Sequence, residues 1–203
     1  MVGFYSKLMG SSFVYDHVRP KLLGGFDFSI VYNWLETTEE DVVIDIGCGG
    51  GEALEYFPRF KKYCGFDVDG DALTRLREKY RSDRIHTRNR ALSAADVAEL
   101  CPSKVIMVGI LHHLKHCEIR ELVGVLGGAH TVRRMVTLDP VYRPGLHLSN
   151  FLARLDRGHF VRNESGYRQL FEESPFVIDD SAALSSGNGI AKYFAMSLAP
   201  RNN

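Results

Sequence analysis

Between residues 41 and 140 five short, mostly apolar runs alternate with four polar, helix-forming stretches. "DVVIDIG" (41–47), "KYCGFDVD" (62–69), "RIHTR" (84–88), "KVIMVGIL" (104–111) and "RRMVTLDP" (133–140) read as strands. Strands without polar alternation are buried on both faces, so they belong to a parallel sheet with helices on either side. The intervening helices fall at 51–60, stopped by Pro58, at 71–81, at 93–101 with Ser93 as N-cap, and at 118–129, closed by Gly127-Gly128. The rhythm then breaks. Residues 141–174 form an insertion with one helix at 165–174. "PFVIDDSAAL" (175–184) and "GIAKYFAMSL" (189–198) read as a hairpin around "SSGN". Residues 1–35, rich in aromatics including Phe4, Tyr5, Phe13, Tyr15, Phe26 and Phe28, read as a helical cap. These parts are expected to form one domain over 1–203, with 40–140 as its core.

The 203 residues carry 25 Lys plus Arg and 25 Asp plus Glu. A zero balance disfavours a dedicated nucleic-acid binder, whose affinity rests on surplus cations. No apolar run approaches the roughly 20 residues of a membrane span, and the N-terminus lacks a clean signal peptide, so a cytoplasmic protein is expected. Cys48, Cys64, Cys101 and Cys117 form no CxxC pair and read as reduced, partly buried thiols.

In open α/β sheets ligands bind beyond the carboxyl ends of the strands. The first strand ends in "DIGCGGGE", where Gly47, Gly49 and Gly51 are spaced G-x-G-x-G. The nicotinamide fingerprint would need glycine at 52, but Glu52 stands there and would face the phosphates. The loop therefore suits a ligand without a pyrophosphate. The second strand ends at Asp67, which can accept both hydroxyls of a ribose, with Val68 flanking an adenine. Asn89 or Arg90 could read the adenine edge, or form an exposed loop. Gly109 permits close approach at the end of the fourth strand. His112 and His113 follow where a substrate should lie, and either could take a proton. Asp139, ending the fifth strand, could orient that histidine or start a turn. His112, His113, His116 and Cys117 lack a zinc spacing, so no metal is expected. In the polar stretch 153–167, Arg157 and Arg162 could hold an anionic substrate group, with His159 and Tyr167 beside them.

The order "VVIDIGCGGG", "GFDVD", "VIMVGILHHL", "MVTLDP" and a closing hairpin resembles the class I S-adenosylmethionine (SAM)-dependent methyltransferases over roughly residues 40–198. "GILHHL" with "LDP…DRGHFVR…GY" looks like bacterial small-molecule methyltransferases of polysaccharide or natural-product biosynthesis. The resemblance implies a Rossmann-like, seven-stranded, mostly parallel sheet. It implies methyl transfer from SAM to a small molecule, with S-adenosylhomocysteine (SAH) as product, in a monomer or homodimer. By position it sets Gly47, Cys48, Gly49 and Gly51 against the methionine part of SAM and Asp45 in support of that loop. Asp67 falls on the ribose, Val68 along the adenine, and Gly109 near the methionine amino group.

Overall fold

The computed structural model describes residues 27–142, 159–189 and 191–201. The five apolar runs form β1 (Val42–Ile46), β2 (Lys62–Phe66), β3 (Ile85–Arg88), β4 (Lys104–Val108) and β5 (Arg134–Pro140). The last two strands are β6 (Phe176–Ser185) and β7 (Lys192–Pro200). One seven-stranded sheet runs β3-β2-β1-β4-β5-β7-β6. The first five strands are parallel, and β7 is antiparallel to both neighbours. This is the expected Rossmann-like sheet with a C-terminal antiparallel pair. The strand order reverses between β1 and β4, so their carboxyl ends open a crevice there.

Both faces are covered. On one, α3 (Ala94–Leu100), α4 (His116–Gly127) and α5 (Glu164–Gln169) bury Val97, Leu100, Ile119, Val123, Leu126 and Tyr167 against the sheet. On the other, α1 (Ser29–Asn33) and α2 (Gly70–Lys79) bury Val31, Leu73 and Leu76 with Leu35, Phe57 and Tyr63. Of the expected N-terminal cap, α1 is the described part. Residues 1–26 lie outside the described residues, together with their aromatics.

Three expectations change. The helix over 51–60 is a 3-10 turn at Glu52–Glu55. Pro58 disfavours helical backbone at Phe57, and the following aromatics leave the helix path to join a cluster. In it Tyr32 stacks on Tyr56 at 4.8 Å, while Phe57, Phe60 and Tyr63 meet at 6.1–6.3 Å. The fourth strand stops at Val108 because Gly109 adopts φ +71°, and a 3-10 turn, Leu111–His113, follows. Cys48 and Cys64 are buried, but Cys101 and Cys117 are exposed free thiols.

Helix α3 starts at the expected N-cap Ser93, and the structure adds a capping box: the Ser93 side chain accepts from Asp96 N, and the Asp96 carboxylate accepts from Ser93 N at 2.9 Å. Asp96 is 1% exposed and also pairs with Arg88 and Arg90. The Arg90 guanidinium, assisted by Ser93 and Arg88, holds its carboxyl well below the usual range. Asp96→Ala is expected to cost about 2–3 kcal/mol, discounted from a fully buried pair because Arg90 is half exposed. Thermal denaturation checks this; a loss under about 0.5 kcal/mol, the scale of an ordinary surface change, would deny the cluster its role.

Candidate active site

The loop after β1 turns through three left-handed glycines, Gly47 at φ +75°, Gly49 at +51° and Gly51 at +82°. Space for a side chain is also short at two of them, so that a neighbour would have to move. A Cβ at Gly47 would lie 2.7 Å from Ile110 Cδ1, and one at Gly51 2.8 Å from Leu76 Cγ. The first contact shows that the ends of β1 and β4 touch across the crevice.

Asp67, at the end of β2, is 5% exposed. Its Oδ2 accepts from Gly49 N at 2.8 Å and its Oδ1 from Asp69 N at 2.8 Å. Asp67 is therefore not the cap of α2; that is Asp69, which accepts from Asp71 N and Ala72 N. Each Asp67 oxygen keeps a further lone pair for a ligand. Asn89 donates to Asp67 O at 3.0 Å and so braces the end of β2 from β3. Val68 is half-buried beside it. Arg90 does not address this space, because its guanidinium is held by Asp96.

Asp45 is 3% exposed and accepts from Tyr63 Oη at 2.7 Å. Burial raises its pKa to about 7 against that hydrogen bond, with Glu52 and Asp67 adding to the rise. Burial and the same carboxylates push the Cys48 thiol far up, so it is a neutral packing group. Three acids thus gather around the glycine loop: Asp45, Glu52 and Asp67. Tyr32 lies close enough to Asp45 and Glu52 that both reinforce the effect of burial in raising its hydroxyl's pKa. The sequence reading missed Tyr32, since a tyrosine in a short amphipathic segment carries no signal of packing in one cluster with Cys48, Ala53 and Leu54 of a loop distant in sequence.

Across the crevice Gly109 adopts φ +71°, and a Cβ there would meet nothing within 4 Å. Gly109→Ala is therefore expected to cost only the left-handed strain, about 1–2 kcal/mol, while its methyl enters the open space of the site. Gly47→Ala adds the clash with Ile110 and should destabilise more; equal melting losses for the two variants would contradict this geometry.

The two histidines separate. His112 is 1% exposed; its Nδ1 lies 2.7 Å from Asp139 Oδ1, which also accepts from His112 N at 3.1 Å. Burial pushes the Asp139 carboxyl up, opposed by His112 and by the charge of Arg162. Asp139 Oδ2 is buried with no hydrogen-bond partner among the described residues. His113 is half-buried, its ring centroid 4.0 Å from that of His112. The expected partnership of Asp139 with a histidine is thus made with His112.

The stretch expected to hold substrate behaves differently. Arg157 lies outside the described residues, and His159 is exposed. Arg162 donates to Phe160 O, Leu114 O and Leu111 O at 2.8, 2.9 and 3.0 Å. An arginine engaged by three carbonyls has few donors left for a substrate anion. Tyr167 is fully buried, and its hydroxyl donates to Pro140 O at 2.9 Å. It supports the end of β5 from the core instead of offering a face to substrate. Both corrections have one cause: a polar residue close to a strand end in sequence can be turned inward to satisfy backbone carbonyls. Among the described residues no group of three or more acids, histidines or cysteines could hold a metal ion, and no helix is long and apolar enough to cross a membrane.

Residues 43–133 match the family described as "Methyltransferase domain". No curated protein matches the chain by sequence. Among solved structures, geranyl diphosphate C-methyltransferase from Streptomyces coelicolor A3(2), crystallised with SAH, superposes with TM-score 0.64 at 13% identity. That match covers 85% of this chain and 74% of the other. The cyclopropane synthase MmaA2 from Mycobacterium tuberculosis gives TM-score 0.64 at 10% identity, covering 84% and 82%. SAH-bound CalO1, a methyltransferase of calicheamicin biosynthesis, gives 0.65 at 16%, covering 92% of this chain and 56% of its own length. At these identities the likeness is one of fold.

Proposed function

We propose that this chain, which carries a methyltransferase domain of class I fold, is a SAM-dependent methyltransferase acting on a small-molecule acceptor of natural-product or sugar type. The observation that carries the reading is the bond between Gly49 N and Asp67. It joins the glycine loop of β1 and the acid of β2 into one floor, with Asp45 and Glu52 beside it. Three carboxylates around a loop favour a cationic ligand, and the open space at Gly109 leaves room for it. SAM, when bound, supplies an electrophilic methyl group on a positively charged sulfonium.

The chain's residues take these roles. Asp67 accepts the ribose hydroxyls, Val68 lies along the adenine, and Asn89 keeps Asp67 in place. Gly47, Cys48, Gly49 and Gly51 let the backbone meet the methionine portion, with Asp45 behind them and Gly109 opposite. For a hydroxyl acceptor, His112 takes the proton. Its Nδ1 faces Asp139, which places the proton of the neutral ring on Nδ1 and the basic lone pair on Nε2. His113 and His159 line the acceptor side. An acceptor that attacks through carbon or an already ionised atom needs no base, only alignment. The protein works in the cytoplasm, as a monomer or homodimer, on substrates other than nucleic acid.

Calorimetric titration with SAH, followed by mass analysis of an acceptor panel incubated with SAM, tests this. Micromolar binding and a product heavier by one methyl substitution are expected. Failure to bind SAH would overturn the reading, and binding without any methylated product would point to a SAM-binding protein that does not methylate. On a hydroxyl acceptor, His112→Gln should lower turnover about 100-fold or more and His113→Gln much less. The reverse order would move the base to His113.

A further inference from the structure

Residues 159–162 pack directly on the histidine turn. Arg162 donates to the carbonyls of Leu111 and Leu114, and Phe160 N donates to His112 O at 3.0 Å. The carbonyls of His112 and Leu114, which the turn itself leaves unpaired, are satisfied by this segment, and Leu111 O, which already accepts from Leu114 N, gains Arg162 as a second donor. The segment is anchored in turn. Tyr142 N donates to Arg162 O at 3.0 Å, Val141 and Arg162 form an isolated parallel bridge, and the guanidinium lies 5.8 Å from the centre of the Tyr167 ring. The charge of Arg162 also reaches Asp139 and favours its ionised form. Arg162 thus bears on both supports of the His112 ring: by hydrogen bonds on the turn that carries it, and through its charge on the acid that faces it.

We propose that Arg162 is a positioning residue, which locks the Leu111–His113 turn against the end of β5, so that the His112 ring stays on Asp139 and holds its proton on Nδ1. Lysine cannot replace it fully, because the fork reaches carbonyls that lie three residues apart and an ammonium offers a single point of donation. The inference rests on the reading of His112 as the proton-handling ring, but its test needs neither acceptor nor cofactor.

The experiment is NMR of the full chain labelled with 15N-histidine, with His112→Gln to assign the resonance. Wild type, Arg162→Met, Arg162→Lys and the control Arg168→Met are compared. Arg168 donates to Ser181 and lies over Phe194, away from the turn. The His112 Nδ1–H should be hydrogen-bonded and slow to exchange in wild type. Exchange should be about tenfold faster or more in Arg162→Met, intermediate in Arg162→Lys and unchanged in Arg168→Met. Exchange within twofold of wild type in both Arg162 variants would overturn the proposal, as would equal acceleration in Arg168→Met at matched loss of melting temperature. If Arg162→Met does not fold, the Arg162→Lys comparison decides alone. Failure of wild type to bind SAH would count against the proposed activity and leave this result standing.

Discussion

Asp67→Ala is expected to weaken SAH binding about 100-fold or more in calorimetric titration. The carboxylate receives Gly49 N and Asp69 N, one on each oxygen, at 5% exposure. Its loss removes the proposed ribose acceptor and the side-chain tie on Gly49, while the backbone bonds of Gly47 N and Cys48 N to Phe66 O keep the start of the loop on β2. A hydrogen bond to a charged group contributes about 1.5–3 kcal/mol, so one ribose contact and one loop contact together amount to roughly two decades or more in affinity. Asp67→Asn should fall between, because an amide keeps one acceptor but turns an N–H₂ toward a backbone donor. The control is Asp69→Ala, which removes the α2 cap and lowers stability by about 1 kcal/mol but leaves the Asp67 carboxylate in place. Affinity of Asp67→Ala within threefold of wild type would refute the assigned floor of the site.

The second large effect concerns Asp45. Its folded-state pKa, near 7, lies well above its ordinary value of 3.8. Between those values the folded protein holds a proton that the unfolded chain has released, so stability falls as pH rises from about 4 to about 7 and is level above. A rise of that size corresponds to at most about 4 kcal/mol. Asp45→Asn keeps an acceptor for Tyr63 and removes the titration. The ligand-free variant is therefore expected to melt higher than wild type at pH 8, by about 5 °C or more, and to differ little at pH 4. It should also bind SAM more weakly at pH 8, since a cationic ligand favours the ionised acid. A melting difference that does not grow with pH would show that Asp45 is not the group being titrated.

The parallel sheet was legible because its strands are near-continuous apolar runs, and the loop because only glycine sustains left-handed backbone where neighbours crowd. Ser93 was legible as a cap because a hydroxyl residue stands directly before a helix-forming stretch, where it can accept from the first free N–H groups. The partner of the histidines was narrowed but not resolved. Asp139 and the pair His112-His113 both follow strand ends, so their meeting was foreseeable, but which ring turns inward depends on a 3-10 turn created by Gly109. The aromatic cluster of Tyr32, Tyr56, Phe57, Phe60 and Tyr63 was hidden, because it displaces a helix that the local pattern favours.

The sequence by itself therefore determined the alternation of elements, the parallel core with its antiparallel closing pair, and the carboxyl ends where chemistry collects. These follow from periodicity and from backbone limits that act within a few residues. The tertiary structure alone decided that Arg162 and Tyr167 face inward and that Asp45 is protonated more readily than an exposed acid. It also alone decided that His112, not His113, meets the carboxylate. Each depends on burial and on backbone groups brought in from distant parts of the chain, whose desolvation sets both hydrogen-bond partners and charge.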